Sequence, residues 1–291
     1  MFQDLFSFLQ LNPDIFLGFI FLVGLIVGSF LNVVIYRLPV MMQNEWRQDC
    51  LEFLKQPADK EQQPFNLSIP RSRCNQCGHQ ITALENIPLL SYLLLRGRCS
   101  SCQTHISLRY PLVELFTAII SVTIAWHFGV SLQTLAGLFF SWSLIAASGI
   151  DLDHKLLPDN ITLPLLWAGL LLSIFDVFTN LQSSVIGAMA GYLSLWSVYI
   201  VFKLITGKEG MGYGDFKLLA ALGAWTGWKL LFVIILTSSL VGAFIGITLI
   251  LLGKRNRSTQ IPFGPYLAAA GWICLLWGEQ LSRFYFDYLS I

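Results

Sequence analysis

The chain has 291 residues, 55% of them hydrophobic and 12% charged, with a net charge of +1. A soluble domain carries about 25% charged residues, so the composition excludes an ordinary soluble domain, and the near-zero net charge does not point to nucleic acid. What remains is an all-α polytopic membrane protein whose solvent is the lipid bilayer.

About 20 apolar residues cross a bilayer, and the charge-free runs predict the spans in chain order. Residues 15–36 form the first. Residues 115–150 are too many for one helix and are interrupted at HFGVS (127–131), which predicts two helices joined by a tight turn. Residues 161–175 and 177–202 follow, then a short segment at 218–225 that is a span only if it starts near Gly214 and is buried among other helices. The runs 230–252 and 261–278 complete about eight transmembrane helices. The opening MFQD has no basic stretch and no small-residue cleavage site follows the first run, so the first helix reads as retained and not as a removable signal peptide. Gly187, Ala190 and Gly191, and Gly242 and Gly246, are positions where helix backbones can approach closely.

This divides the chain into a first transmembrane helix (1–36), a polar loop (37–110) and a bundle of about seven helices (111–291). Nine of the 18 Lys and Arg residues lie in 37–109, and Lys254, Arg255 and Arg257 lie between the last two spans. The positive-inside bias therefore predicts a cytoplasmic loop, with both termini toward the periplasm.

The loop holds Cys74 and Cys77, then 21 residues, then Cys99 and Cys102. Two such knuckles supply four thiolates that close a tetrahedral structural zinc site with no open position for catalysis. Two disulfides are the alternative, disfavoured because cytoplasmic thiols stay reduced. His79 and His105 follow the knuckles as substitute ligands, and Arg73 and Arg98 precede them, placed to offset thiolate charge. Cys50 and Cys274 are isolated and read as spectator side chains. Residues 41–68, with Pro57 and Pro64, read as a short helix or solvated linker near the headgroups.

Two acidic residues carry the chemistry. Asp151 ends a charge-free run within IDLDHKLLPD (150–159), and Asp215 lies within GMGYGDFK (210–217). A carboxylate at a membrane boundary is costly and marks function. Two carboxylates brought together share a proton, so one activates a water while the other supports the developing oxyanion. Gly212 and Gly214 let another backbone approach Asp215, and Pro158 stops the helix that carries Asp151 from continuing. Asp153, Asp159 and His154 read as juxtamembrane side chains. No His-Glu-x-x-His motif is present, and none of His79, His105, His127 and His154 has an evident nucleophile partner.

Six blocks in one order now match a known family: GSFLNVVIYRLP (28–39), the two knuckles, ENIPLLSYLLLRGRC (85–99), RYPLVEL (109–115), IDLDHKLLPD (150–159) and GMGYGDFKLLAALGAW (210–225). Over nearly its whole length the chain resembles the bifunctional type IV prepilin peptidases, leader peptidase and N-methyltransferase. The resemblance implies catalytic aspartates at Asp151 and Asp215, and knuckle cysteines at Cys74, Cys77, Cys99 and Cys102 as in the zinc-bearing members. It implies an inner-membrane enzyme that cleaves prepilins of type IV pili and pseudopilins of type II secretion after a glycine on the cytoplasmic side. It also implies N-methylation of the new terminus with S-adenosylmethionine. No Rossmann-type glycine fingerprint locates the donor; the basic Arg96 and Arg98 are contributors in view, with contact to lipid phosphates or holding the loop as their alternatives, and Glu85, Glu114, Asp153 and Asp159 are candidates for basic leader residues, with a structural or solvated role as the alternative. From the residues alone, two other readings stand: a proton-coupled transporter with Asp151 and Asp215 as a relay, and a non-enzymatic receptor that binds through its zinc loop. The oligomeric state is not encoded in any pattern found.

Overall fold

In lipid a backbone has to satisfy its own hydrogen bonds, so apolar runs become helices. The computed structural model describes residues 2–56, 65–252 and 262–289. Its helices are α1 (Phe2–Leu11), α2 (Pro13–Phe53), α3 (Leu90–Leu94), α4 (Arg109–Phe128), α5 (Leu132–His154), α6 (Asp159–Ser173), α7 (Leu181–Thr206), α8 (Tyr213–Thr226), α9 (Leu231–Leu251) and α10 (Gly264–Leu289). The described residues contain no strand, only two isolated antiparallel bridges. The chain is all-α.

Each predicted span falls on a helix, and the break at 127–131 is the turn between α4 and α5, where Gly129 takes a positive φ of 61°. Among the described residues, five helices are long and apolar enough to cross a membrane: Pro13–Phe53, Arg109–Phe128, Leu132–His154, Leu181–Thr206 and Trp228–Leu251. The count of eight is not reached by this criterion. With 15 and 14 residues, α6 and α8 measure about 22 and 21 Å, short of a hydrocarbon core of about 30 Å. The first helix also differs from its predicted span, since α2 runs on past residue 36 and through Pro39 to Phe53. Residues 41–53 of the polar stretch are thus helical, while 57–64, with both prolines, lie outside the described residues. So do Lys254, Arg255 and Arg257.

The chain forms two compact units, Met1–Thr134 and Leu135–Ile291. In the first, α2 lies against α4 because Gly24 and Gly28 carry no side chain. A Cβ at Gly24 would stand 2.7 Å from Ala118 Cα, and one at Gly28 would stand 2.7 Å from Glu114 Cα. The buried Arg37 of α2 donates to the carbonyls of Asn66 (2.9 Å) and Pro70 (2.6 Å), fastening the loop to the helix.

In the second unit α8 is the central element. Phe216, Leu218, Leu219, Leu222 and Trp225 are fully buried, and this burial keeps a helix of only four turns in place. On one side, Gly187 and Gly191 of α7 meet the carbonyls of Gly223 and Leu219. On another, Trp225 donates its indole N–H to Leu165 O of α6 at 2.8 Å. Ser184 of α7 donates to Ala224 O at 2.6 Å, so buried polar groups are paired across the helices. Gly242 packs against the Tyr266 ring, and Gly246 is buried.

Candidate active site and metal site

Asp151 lies in the last turn of α5, and Asp215 is the third residue of α8. Both are buried, 5% and 9% exposed, and Asp151 acts electrostatically on Asp215. Buried carboxylates need hydrogen-bond donors. Asp151 Oδ2 accepts the backbone N–H of Gly264, the first residue of α10, at 2.9 Å. The Gly212 amide acts on the Asp215 carboxylate, and Asp215 returns its own N–H to Gly212 O at 3.3 Å.

The connection between α5 and α6 brings these parts together. Pro158, at φ −66° and ψ 135°, is the N-cap of α6 and leaves 155–157 as a turn. Leu157 of that turn is buried. A Cβ at Gly214 would stand 2.7 Å from Leu157 Cβ, and one at Gly264 would stand 3.1 Å from Leu157 Cδ2. Leu157 is therefore the wedge where the starts of α8 and α10 meet the end of α5.

Two polar contacts fasten the start of α8. Lys217 Nζ bridges both Asp159 carboxylate oxygens at 2.7 Å, tying α8 to the first turn of α6. In the loop before α8, Glu209 accepts from Lys203 Nζ at 2.8 Å and from the buried Tyr199 hydroxyl at 3.3 Å. Tyr199 also packs its ring against Tyr213 and Phe216, with centroids 5.5 and 5.6 Å apart. The residues on each side of Asp215 are thereby held from α7. Lys203 beside Glu209 keeps that carboxyl below the usual range.

The four knuckle cysteines converge. Cys74 and Cys102 sulfurs are 3.8 Å apart, Cys77 and Cys99 sulfurs 4.0 Å, and all four lie within 4.8 Å of one another. Sulfurs about 2.3 Å from a common centre and tetrahedrally disposed stand about 3.8 Å apart, so the donor set fits a tetrahedral metal ion. Disulfides are not formed; all four are free thiols. Their electrostatics also suits a cation. The Thr104 hydroxyl, then its amide, pull the Cys102 thiol down to about 6. The His79 amide pulls Cys77 the same way, but desolvation and the three neighbouring sulfurs outweigh it and push that thiol up to about 11. Crowded sulfurs resist joint ionisation unless a positive centre stands among them.

Each knuckle turns back on itself through one bridge, Arg73 with Gln80 and Arg98 with His105. The two arginines serve in those bridges through their backbones. Neither histidine joins the sulfur cluster. His79 instead lies 3.3 Å from Glu85, which also accepts from the Thr82 amide (2.8 Å) and from the Ser100 hydroxyl. Glu85 thus links the first knuckle to the second, and the Ser100 hydroxyl, followed by the Thr82 amide and hydroxyl, lowers its carboxyl to about 2. Glu114 accepts the Leu89 N–H at 2.9 Å and holds that residue at a φ of 57°, a conformation side-chain-bearing residues rarely adopt. Cys274 is buried, Cys50 is exposed, and Asp153 and His154 are exposed at the end of α5.

Sequence reasoning passed over Gly264, Leu157, Tyr199 and Glu209. Only Glu209 carried a signal, a charge five residues before Gly214. The others act through a backbone amide, an apolar wedge and a ring packed on rings.

The model of the Bacterial Peptidase A24 N-terminal domain matches residues 22–128, and that of the Type IV leader peptidase family matches residues 138–247. A prepilin leader peptidase/N-methyltransferase of Stutzerimonas stutzeri is 56% identical over 98% of this chain and 99% of its own length. Those of Aeromonas hydrophila and Pseudomonas aeruginosa are 58% and 54% identical, over 94% of both chains and over 98% and 99% respectively. No solved structure matches. With both halves matched and this identity sustained from end to end, the chain belongs to the type IV leader peptidase family.

Proposed function

We propose that this chain is a multi-pass membrane enzyme that removes the leader from prepilins and then N-methylates the new terminus. Its relatives are named prepilin leader peptidase/N-methyltransferase. The observation that carries the peptidase reading is a pair of buried carboxylates at helix ends, Asp151 and Asp215, within range of each other's charge.

The chemistry follows from two acids sharing a proton. The ionised carboxylate takes a proton from water as the water oxygen bonds to the scissile carbonyl carbon. The protonated partner gives its proton to the carbonyl oxygen. The tetrahedral intermediate then expels the amine as the C–N bond breaks. The amine takes the proton that the first carboxylate had received, and the intermediate's hydroxyl proton returns to the partner. Atoms and charges balance, and the dyad is restored. Placement at helix ends, not at a bilayer midplane, favours hydrolysis over a transport relay.

Further parts of the reading rest on the resemblance and the charge pattern. The bond cut follows a glycine of a prepilin or type II pseudopilin, on the cytoplasmic side of the inner membrane, with the cysteine loop on that same side. Zinc suits the four sulfurs; Cys74, Cys77, Cys99 and Cys102 would hold it, and it would brace the loop. The methyl donor is S-adenosylmethionine. A Rossmann-type cradle for it is excluded among the described residues, which contain no strand, and no side chain is assigned to it.

The test is cleavage of a purified prepilin by the enzyme in proteoliposomes. Asp151→Asn and Asp215→Asn should each lower the rate by about a thousandfold or more. Persistent cleavage by either variant would overturn the aspartyl mechanism.

A further inference from the structure

α10 begins with Phe263-Gly264-Pro265, and that beginning is unusual in what it leaves free. The first N–H groups of a helix have no intrahelical partner. Here Pro265 has none to offer, and the N–H groups of Tyr266 and Leu267 return to Phe263 O at 3.1 and 3.2 Å. The Gly264 N–H is the donor left over, and it is spent on Asp151 Oδ2 at 2.9 Å. The partner is a carboxylate 95% buried and 113 residues away in sequence.

The glycine is required by space. Gly264 does not take a positive φ, so no left-handed conformation calls for it. A Cβ there would stand 2.7 Å from Asp151 Oδ2 and 3.1 to 3.2 Å from the two Leu157 δ-carbons. The Leu157 contacts yield by a small shift of a flexible side chain. The Asp151 contact does not yield without moving the carboxylate off its donor.

We propose that Gly264 is a positioning residue of the peptidase site. Its amide holds Asp151 Oδ2 as a hydrogen-bond acceptor, and its missing side chain lets the carboxylate come that close. That fixes the orientation of the Asp151 carboxylate within the pair, whichever of the two acids takes the proton of the attacking water. The inference rests on the reading of Asp151 as a member of the catalytic pair, and it gives α10 a part in that site.

The experiment measures steady-state prepilin cleavage in proteoliposomes for Gly264→Ala, Leu157→Ala, the double variant and Asp151→Asn, with melting temperatures alongside. Displacing a reacting group by about 1 Å costs about a hundredfold, so Gly264→Ala should lose about a hundredfold in kcat, with KM within about twofold of wild type. Removing the Leu157 side chain relieves the packing clash and leaves the Asp151 clash in place. The double variant should therefore still fall about a hundredfold below Leu157→Ala. Two results would overturn the proposal: Gly264→Ala cleaving at the wild-type rate, or the double variant cleaving as fast as Leu157→Ala. Asp151→Asn keeps the two claims apart. If it cleaves, the catalytic pair itself is wrong; if it is dead while Gly264→Ala is fully active, only the role of Gly264 falls.

Discussion

The cysteine loop and the aspartate site solve opposite problems. The loop is short, largely exposed and made from one stretch of chain, and its described core is four sulfurs with a ring of local hydrogen bonds. The aspartate site is buried and draws on α5, α6, α8 and α10, held by helices in contact through glycines and buried rings. A small polar loop cannot bury enough apolar surface to hold itself, and a bound ion would supply what it lacks. A helix bundle in lipid is held by close packing and has no such dependence. Different perturbations should therefore undo each region.

The largest effect is expected from Cys74→Ser. Wild-type protein purified under reducing conditions should carry about one zinc per chain, and the variant almost none, by metal analysis. Structural zinc contributes on the order of 10 kcal/mol in small metal-held domains. The knuckle amides of Gly78 and Gln103, which donate to Cys74 O and Cys99 O, should lose their hydrogen-exchange protection. A metal-free wild type with protected knuckles would erase the distinction between the two regions.

Packing is the corresponding weak point of the helices. At Gly187 a Cβ runs into the Gly223 carbonyl, where neither backbone has room to retreat. Gly187→Ala should cost about 1–3 kcal/mol, read as a lower melting temperature in detergent, with metal content unchanged. A neutral result would mean that α7 and α8 are not held by this contact.

How much of each region is legible from sequence follows the same division. The cysteines announce themselves because ligand spacing is a property of a short stretch, whereas the Glu85, His79 and Ser100 linkage does not, since the loop has to fold before they meet. Asp151 and Asp215 are legible as charges where apolar runs end. Helix positions are legible for the same reason, but charge marks the end of an apolar run and not the end of a helix. That is why α2 outruns its predicted span: QNEWRQDCLEF contains no helix breaker. Leu157 and Gly264 leave no mark, because one is a leucine among many and the other works through a backbone amide and an absent side chain.

A smaller effect on stability, but a visible one on rate, is expected at the ion pair that joins α6 to α8. Lys217 and Asp159 side chains are 29% and 51% exposed, so solvent screening limits the pair to below about 1 kcal/mol. Its value lies in position, two residues after Asp215. Asp159→Asn and Lys217→Met should each lower kcat for prepilin cleavage about tenfold, with melting temperatures nearly unchanged. The exchanged pair, Asp159→Lys with Lys217→Asp, should recover part of that loss. Equal rates in all variants would leave packing alone as the support of the site.

The finest test returns to the loop, at Glu85. Its carboxyl is held at about 2, against a usual 4.5, first by the Ser100 hydroxyl and then by the Thr82 amide and hydroxyl. A carboxyl lowered on folding stabilises the fold above its unfolded value, and that contribution is lost as pH falls through the folded one. The window is therefore about 4.5 down to about 2. In zinc-loaded protein, wild type should lose loop protection more steeply across that window than Glu85→Gln, and the difference between them cancels the metal release they share. Ser100→Ala should move the Glu85 midpoint upward, toward 4.5, as read by NMR of the carboxyl carbon. A midpoint unmoved by that change would show that the two knuckles are joined through their metal ligands alone.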